Sequence, residues 1–270
     1  MGQTMRRILS FTCDGSTLAA TLDEATGRTG VLIVSGGNEI RIGAHRGMAQ
    51  LAADIAASGY PVFRFDRRGI GDSEGTNAGF EGSAEDLHAA VRAFRENCAS
   101  LDRIVAFGNC DGASALLLHR PAIDAMVIAN PWVFEPRDEL PPASSIRAHY
   151  FRRLRDPAAW RNLLRGAVNF RKLAASLNRI TEIEAPTNLT TRVGKGLAAC
   201  DMPVTILLAE RDATAAAFAG QWSGPAFSAV RKRANVKVER IDSASHSFAS
   251  DDDYAALKAS ILDQCAAKSA

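Results

Sequence analysis

The sequence of 270 residues predicts an α/β fold: a mostly parallel sheet with an N-terminal antiparallel hairpin and a helical insertion. Three observations carry that prediction. Short apolar runs alternate with segments of helical spacing along most of the chain. The runs are continuously apolar, as strands covered on both faces of a sheet are. The opening stretch breaks this rhythm, with two strand-like segments around Asp14-Gly15, a residue pair suited to a tight hairpin turn.

Taken in order, Ile8 to Phe11 and Leu18 to Thr21 make the hairpin. Val31 to Val34 is the first run of the alternating part, and Met48 to Ala57 has helical spacing. Val62 to Phe65, the helix-like Ala84 to Phe94 and Ile104 to Phe107 continue the alternation. Ala113 to His119 reads as a helix. Met126 to Ala129, Val204 to Leu208 and Val236 to Ile241 add three strands, with Ala213 to Arg233 and Tyr254 to Cys265 as intervening and final helices. In such sheets ligands bind beyond the carboxyl ends of the strands, so the residues just after each strand are the candidates for chemistry.

The alternation stops between Pro131 and Cys200. Pro136, Pro141 and Pro142 end whatever precedes them, and Ser144 to Ser176 has the spacing of two amphipathic helices divided near Asp156-Pro157. We expect residues 1–132 and 200–270 to form the core and 133–199 to form a cap over the ligand-binding side. Between Ser145 and Arg179 stand nine Lys or Arg residues against one acid, Asp156. A solvated outer face is the simpler reading of that excess; contact with an anionic ligand, a carrier or a membrane surface is the sharper one.

Composition narrows the classes further. Hydrophobic residues at 47% and charged residues at 23% suit a globular protein able to bury one sizeable core. A formal net charge of +2 makes no case for nucleic acid. The five cysteines (Cys13, Cys98, Cys110, Cys200, Cys265) are scattered, odd in number and free of any Cys-x-x-Cys pair. Neither a disulfide framework nor a zinc site is expected from them, and a reducing compartment is. With no secretion signal and no apolar window of membrane-spanning length, the expectation is a cytoplasmic protein without metal or cofactor, its oligomeric state open.

The stretch that carries chemistry is Ile104 to Ala113. An apolar strand runs into Gly108-Asn109-Cys110-Asp111-Gly112 and then directly into a helix. Such a turn forces its central residue into strained backbone geometry, and only small neighbours two residues away on each side leave room for it. This is the nucleophile-elbow pattern G-x-S-x-G with cysteine in place of serine. It would set the Cys110 sulfur above the sheet at a helix N-terminus, which favours a thiolate. A lone cysteine in apolar surroundings is more often a small buried hydrophobe, so the elbow needs partners.

A cysteine acyl-transfer site requires a base, a group to orient it and donors for the oxyanion. The candidate base is His246, shortly after the last strand; His45, His88, His119 and His149 fall where surface or packing roles are expected. The candidate acid is Asp212, just past the strand Val204 to Leu208, with Glu210 as a fallback nearer the strand. The chain order of nucleophile, acid and histidine is that of the α/β-hydrolases. For the oxyanion, we expect the backbone N–H of Asp111 and a donor from the turn Ser35-Gly36-Gly37-Asn38, namely Gly37 with Asn38 beside it. The Asp111 side chain is expected to point outward, along the favourable direction at a helix start. Trp132, Phe134 and Tyr150 are candidates for an acyl pocket under the cap, or for packing.

Two further stretches bring a family into view. Gly59 to Gly75, with Phe65-Asp66-Arg67-Arg68-Gly69-Ile70-Gly71-Asp72-Ser73 at its centre, is similar to the α/β-hydrolase strand and loop "FDxRGxGxS". Together with the cysteine elbow, Asn130-Pro131-Trp132-Val133, the Gly-Gly to His45-Arg46 segment and the Arg-rich insertion, the chain from about Ile8 to Leu262 resembles the exosortase A system-associated hydrolases of type 1, bacterial α/β-hydrolases. The resemblance implies the α/β-hydrolase fold and its catalytic chemistry, and leaves the substrate open. Ala209 stands where glycine is common before the triad acid, and Arg67 where an aromatic residue is frequent.

The expected activity is therefore cleavage of an ester or thioester through an acyl-enzyme on Cys110, the substrate being a small acyl compound, free or carrier-bound. An acyltransferase using the same intermediate is the first alternative, and a non-catalytic binding or assembly protein of the same fold is the second.

Overall fold

The computed structural model describes residues 5–134 and 187–267. Within them, eight strands form one sheet in the order β1-β2-β4-β3-β5-β6-β7-β8. The first two, β1 (Arg6–Cys13) and β2 (Ser16–Asp23), pair antiparallel across Asp14-Gly15, both of which take the positive φ that a two-residue hairpin turn demands. β2 pairs antiparallel with β4 (Val62–Phe65), so β2 alone runs against the rest. β3 (Thr29–Val34), β5 (Arg103–Asn109), β6 (Ala125–Ala129), β7 (Val204–Ala209) and β8 (Val236–Ile241) extend the sheet in parallel.

Parallel strands need crossovers, and the described helices cover both faces of the sheet. α1 (Gly47–Ala57) and the final helix α6 (Asp251–Ala266) cover one face, where Val31, Ile33, Val105, Phe107 and Val127 pack on Leu51, Ile55 and Ile261. α2 (Ala84–Asn97), α3 (Asp111–His119), α4 (Asn188–Ala198) and α5 (Ala213–Trp222) cover the other, around Phe63, Phe94, Leu116 and Phe218. The central strands β3 to β7 are buried almost throughout, which is why their sequences read as unbroken apolar runs.

Two boundaries differ from expectation. The helix expected over Ala213 to Arg233 stops at Trp222, because Gly224-Pro225 cannot continue it and a short 3₁₀ turn, Pro225–Phe227, follows. The core also resumes before Cys200: Leu189, Val193 and Leu197 of α4 belong to the buried cluster. Gly196 lets α4 pass so close to α3 that a Cβ there would lie 2.1 Å from the Leu117 carbonyl oxygen. Residues 135–186, which hold most of the expected cap with its arginines, lie outside the described residues, as do Tyr150 and His149.

A buried charge network ties the hairpin to the loops beside β3 and β4. Arg64 on β4 is 1% exposed; its Nη2 lies 3.1 Å from Asp23 Oδ2, and its Nη1 donates to the Arg41 carbonyl at 2.7 Å. Asp23 also accepts from Arg6 Nε at 2.6 Å. Asp66, at the end of β4, accepts from both the backbone N–H and the guanidinium of Arg41. Burial makes the Arg64 guanidinium easier to deprotonate than usual, and Asp23 counters that pull.

Candidate active site

Cys110 is the hinge between β5 and α3. Its backbone sits at φ 57° and ψ −124°, a strained conformation for a residue with a Cβ. The neighbouring glycines make the turn possible in space: a Cβ at Gly108 would lie 2.8 Å from the Ala113 nitrogen, and one at Gly112 would lie 2.6 Å from the Val34 carbonyl oxygen. Gly36 has the same role from the β3 side, where a Cβ would come within 2.4 Å of the Asn109 carbonyl oxygen and 3.1 Å of the Cys110 Cβ. Gly112→Ala is accordingly expected to cost about 1–3 kcal/mol of stability through overpacking against rigid backbone. Urea unfolding, read together with the alkylation rate of Cys110, measures that loss and the displacement of the sulfur.

Asp212 follows β7 and caps α5: its Oδ2 accepts from the Ala215 N–H at 2.9 Å. The same oxygen lies 3.1 Å from His246 Nδ1. Burial pushes the Asp212 carboxyl up, but the hydrogen bonds from His246, Ala215 and Thr214 prevail, and it is held below its ordinary range. His246 stands in the loop after β8, with the Cys110 thiol near enough to act on its imidazole. With Nδ1 committed to Asp212, Nε2 is the nitrogen left to face the sulfur. The Asp212 contact first, then the thiol, raise the His246 imidazole to about 10 against the opposing effect of burial. Cys110, Asp212 and His246, which lie far apart in sequence, thus meet at the carboxyl end of the sheet. The fallback acid Glu210 is exposed and pairs instead with Arg240 at 3.4 Å.

Sequence reasoning missed the amides that hold this arrangement. Asn109 Nδ2 and Asn130 Nδ2 both donate to the His246 carbonyl oxygen, at 3.0 and 3.3 Å. Asn130, fully buried and at positive φ, also accepts from the Ala209 N–H at 2.9 Å, so one side chain joins the β7 end that leads to Asp212 with the histidine loop. The available signal was positional, since Asn130 directly follows the apolar run Met126 to Ala129, where site residues are expected. Ser243 stiffens the same loop: its hydroxyl donates to Asp253 at 2.6 Å and accepts from the Ser245 N–H at 2.9 Å.

The expected oxyanion turn is arranged differently from the expectation. The Asp111 side chain does not point outward; its Oδ1 accepts from the Gly37 N–H at 2.6 Å, so that amide is engaged within the chain. The reason is topological. β3 and β5 are neighbours, and the turns at their ends bring residue 37 within reach of the first side chain of α3. Arg67, 6% exposed, donates to the Gly37 carbonyl and has Nη2 3.7 Å from Asp111 Oδ1. Burial pushes the Asp111 carboxyl up, against the pull of Arg67 and of the Gly37 and Gly112 amides. The Asp111 N–H, at the first position of α3, has no intrahelical acceptor by position. Asn38 is exposed, its side-chain oxygen accepting from Asn77 at 2.9 Å.

Of the expected pocket residues, Trp132 and Phe134 lie side by side after β6, ring centroids 4.0 Å apart. The Trp132 N–H donates to the Cys110 carbonyl at 3.2 Å, and its own carbonyl accepts from the Ser114 hydroxyl, which locks this turn onto the elbow. Among the described residues, no group of His, Cys, Asp or Glu could hold a metal ion.

The fold has counterparts among solved structures. An esterase from Pyrococcus furiosus superposes with a TM-score of 0.65 at 17% identity, over 97% of this chain and 90% of that one. The α/β hydrolase GrgF from a Penicillium species gives 0.64 at 19% identity, over 97% and 98%. The thioesterase domain from the curacin biosynthetic pathway gives 0.59 at 15% identity, over 96% and 99%. At such identities the likeness is one of fold. No curated protein matched the chain in sequence. The sequence profile described as the alpha/beta hydrolase family matches residues 31–259, and the chain belongs to that family.

Proposed function

We propose that the protein cleaves an ester or thioester through an acyl-enzyme formed on Cys110. The observation that carries this reading is the His246 ring lying between the Asp212 carboxylate and the Cys110 thiol. His246, oriented by Asp212, takes the thiol proton as general base. The thiolate attacks the acyl carbon and the carbonyl oxygen becomes an oxyanion beside the Asp111 N–H. The imidazolium then protonates the departing alcohol or thiol. Returned to its neutral form, His246 takes a proton from water as the water attacks the thioester, and the carboxylic acid leaves with the thiol restored. Asp212 holds the ring in the tautomer with Nε2 toward sulfur throughout. The named esterase and thioesterase neighbours are in keeping with this reaction class, and the affinity with type 1 exosortase-associated hydrolases belongs to the same reading.

The test is intact-mass detection of an acyl adduct after exposure to a panel of p-nitrophenyl esters and acyl thioesters. We expect one acyl group per chain, mapped to Cys110, and none at that position in Cys110→Ala. Labelling spread over the other cysteines at similar rates would sink the proposal. Product analysis with added alcohols or amines separates hydrolysis from acyl transfer.

A further inference from the structure

The groups around the oxyanion turn contain two features that the acyl-enzyme sequence above does not use. One is a carboxylate standing where negative charge is to develop. Asp111 Oδ1 holds the Gly37 N–H at 2.6 Å, and an oxyanion that uses the same amide needs that acceptor position empty. The other is a buried cation with a vacancy. The Arg67 side chain is 6% exposed, and its Nη1 has no hydrogen-bond partner, a costly state for a guanidinium shielded from water. Its Nη2 is 3.7 Å from the same Asp111 oxygen, too far for a hydrogen bond and near enough for a side-chain rotation to close. Arg67 is itself fixed by its bond to the Gly37 carbonyl, so the carboxylate is the partner that moves.

We propose that Asp111 is a resident occupant of the acyl-oxygen position and that Arg67 is the positioning residue that withdraws it: on substrate binding the carboxylate leaves the Gly37 N–H and turns onto the Arg67 guanidinium. The substrate carbonyl oxygen takes the vacated amide, and the unpartnered Nη1 gains the acceptor it lacks at rest. A planar guanidinium presents two parallel donors to a carboxylate, which makes the withdrawn position a bidentate one. The pairing also moves the negative charge away from the forming oxyanion and against a fixed positive one. The inference rests on the reading of Cys110 as nucleophile.

Its test is a double-variant cycle, following the burst of p-nitrophenyl acetate acylation on Cys110 by intact mass, with iodoacetamide alkylation of the same thiol as a reaction that needs no oxyanion donors. Relative to alkylation, Asp111→Ala is expected to acylate at least as fast as wild type, because the amide is then vacant. Arg67→Met should acylate at least tenfold more slowly, because the carboxylate has nowhere to go. The pair Asp111→Ala/Arg67→Met should recover to within about threefold of Asp111→Ala. A merely structural Arg67 would leave the double variant as slow as Arg67→Met, and that result overturns the proposal. So does slow acylation in Asp111→Ala alone. If no acetyl adduct forms on Cys110 in any of the four proteins, the acyl-enzyme reading falls and this inference with it.

Discussion

Asp212→Asn should slow acylation of Cys110 by roughly 10³–10⁴-fold at neutral pH, the scale on which a triad fails when its imidazole is held in the wrong tautomer. One oxygen, Oδ2, serves both the Ala215 N–H and His246 Nδ1, so a carboxamide that sets its NH₂ group against the ring gives up the cap of α5. That NH₂ group, turned to His246 Nδ1, puts the ring proton on Nε2, where it faces the sulfur and cannot accept from it. Single-turnover release of p-nitrophenol measures the change; a loss of less than tenfold would remove Asp212 from the mechanism.

The same pair gives a pH dependence whose sign follows from its shifts. His246 is raised from 6.5 to about 10, so its contribution to stability is complete below 6.5 and is lost as pH climbs through about 10. Asp212 is lowered from 3.8, so its contribution is complete above 3.8 and is lost on acidification below that value. The stability gap between wild type and Asp212→Asn should thus be widest between about pH 4 and 6.5 and narrow toward pH 10. Urea midpoints at pH 5.5, 8 and 10 test this, and a gap that widens with pH contradicts it.

Asp23→Ala is expected to have the largest effect on stability, about 3–5 kcal/mol, because it leaves a buried guanidinium without its counter-charge. Arg64 and Asp23 are each 2% exposed in their side chains, so water cannot replace the missing partner. Arg6 loses its acceptor in the same substitution. The penalty belongs to the orphaned charge rather than to the pair as such. Adding Arg64→Met should therefore recover a good part of the loss in equilibrium urea unfolding. A double variant as unstable as Asp23→Ala would place the cost in packing of the hairpin instead.

The strand pattern was legible because β3 to β7 lie in the middle of the sheet, where both faces must be apolar and the text shows unbroken runs. Helix ends were less so. Tyr254 marks apolar spacing, yet α6 begins at Asp251, where the Ser250 hydroxyl accepts from the Asp253 N–H and three aspartates meet the positive end of the helix. The elbow could be read from Gly108 and Gly112 because its sterics are local. The orientation of Asp111 could not, since it depends on β3 lying beside β5 and on Arg67 arriving from the end of β4, facts of topology that no window of sequence contains. The amides of Asn109 and Asn130 were hidden for the same reason: their acceptor, the His246 carbonyl, lies more than a hundred residues away.

The Val133 carbonyl accepts from the hydroxyls of both Thr187 and Thr190, at 3.4 and 2.5 Å. The two ends of the described chain on either side of residues 135–186 are thereby stitched together. The end of the β6 side and the start of α4 are therefore held to each other by bonds of their own.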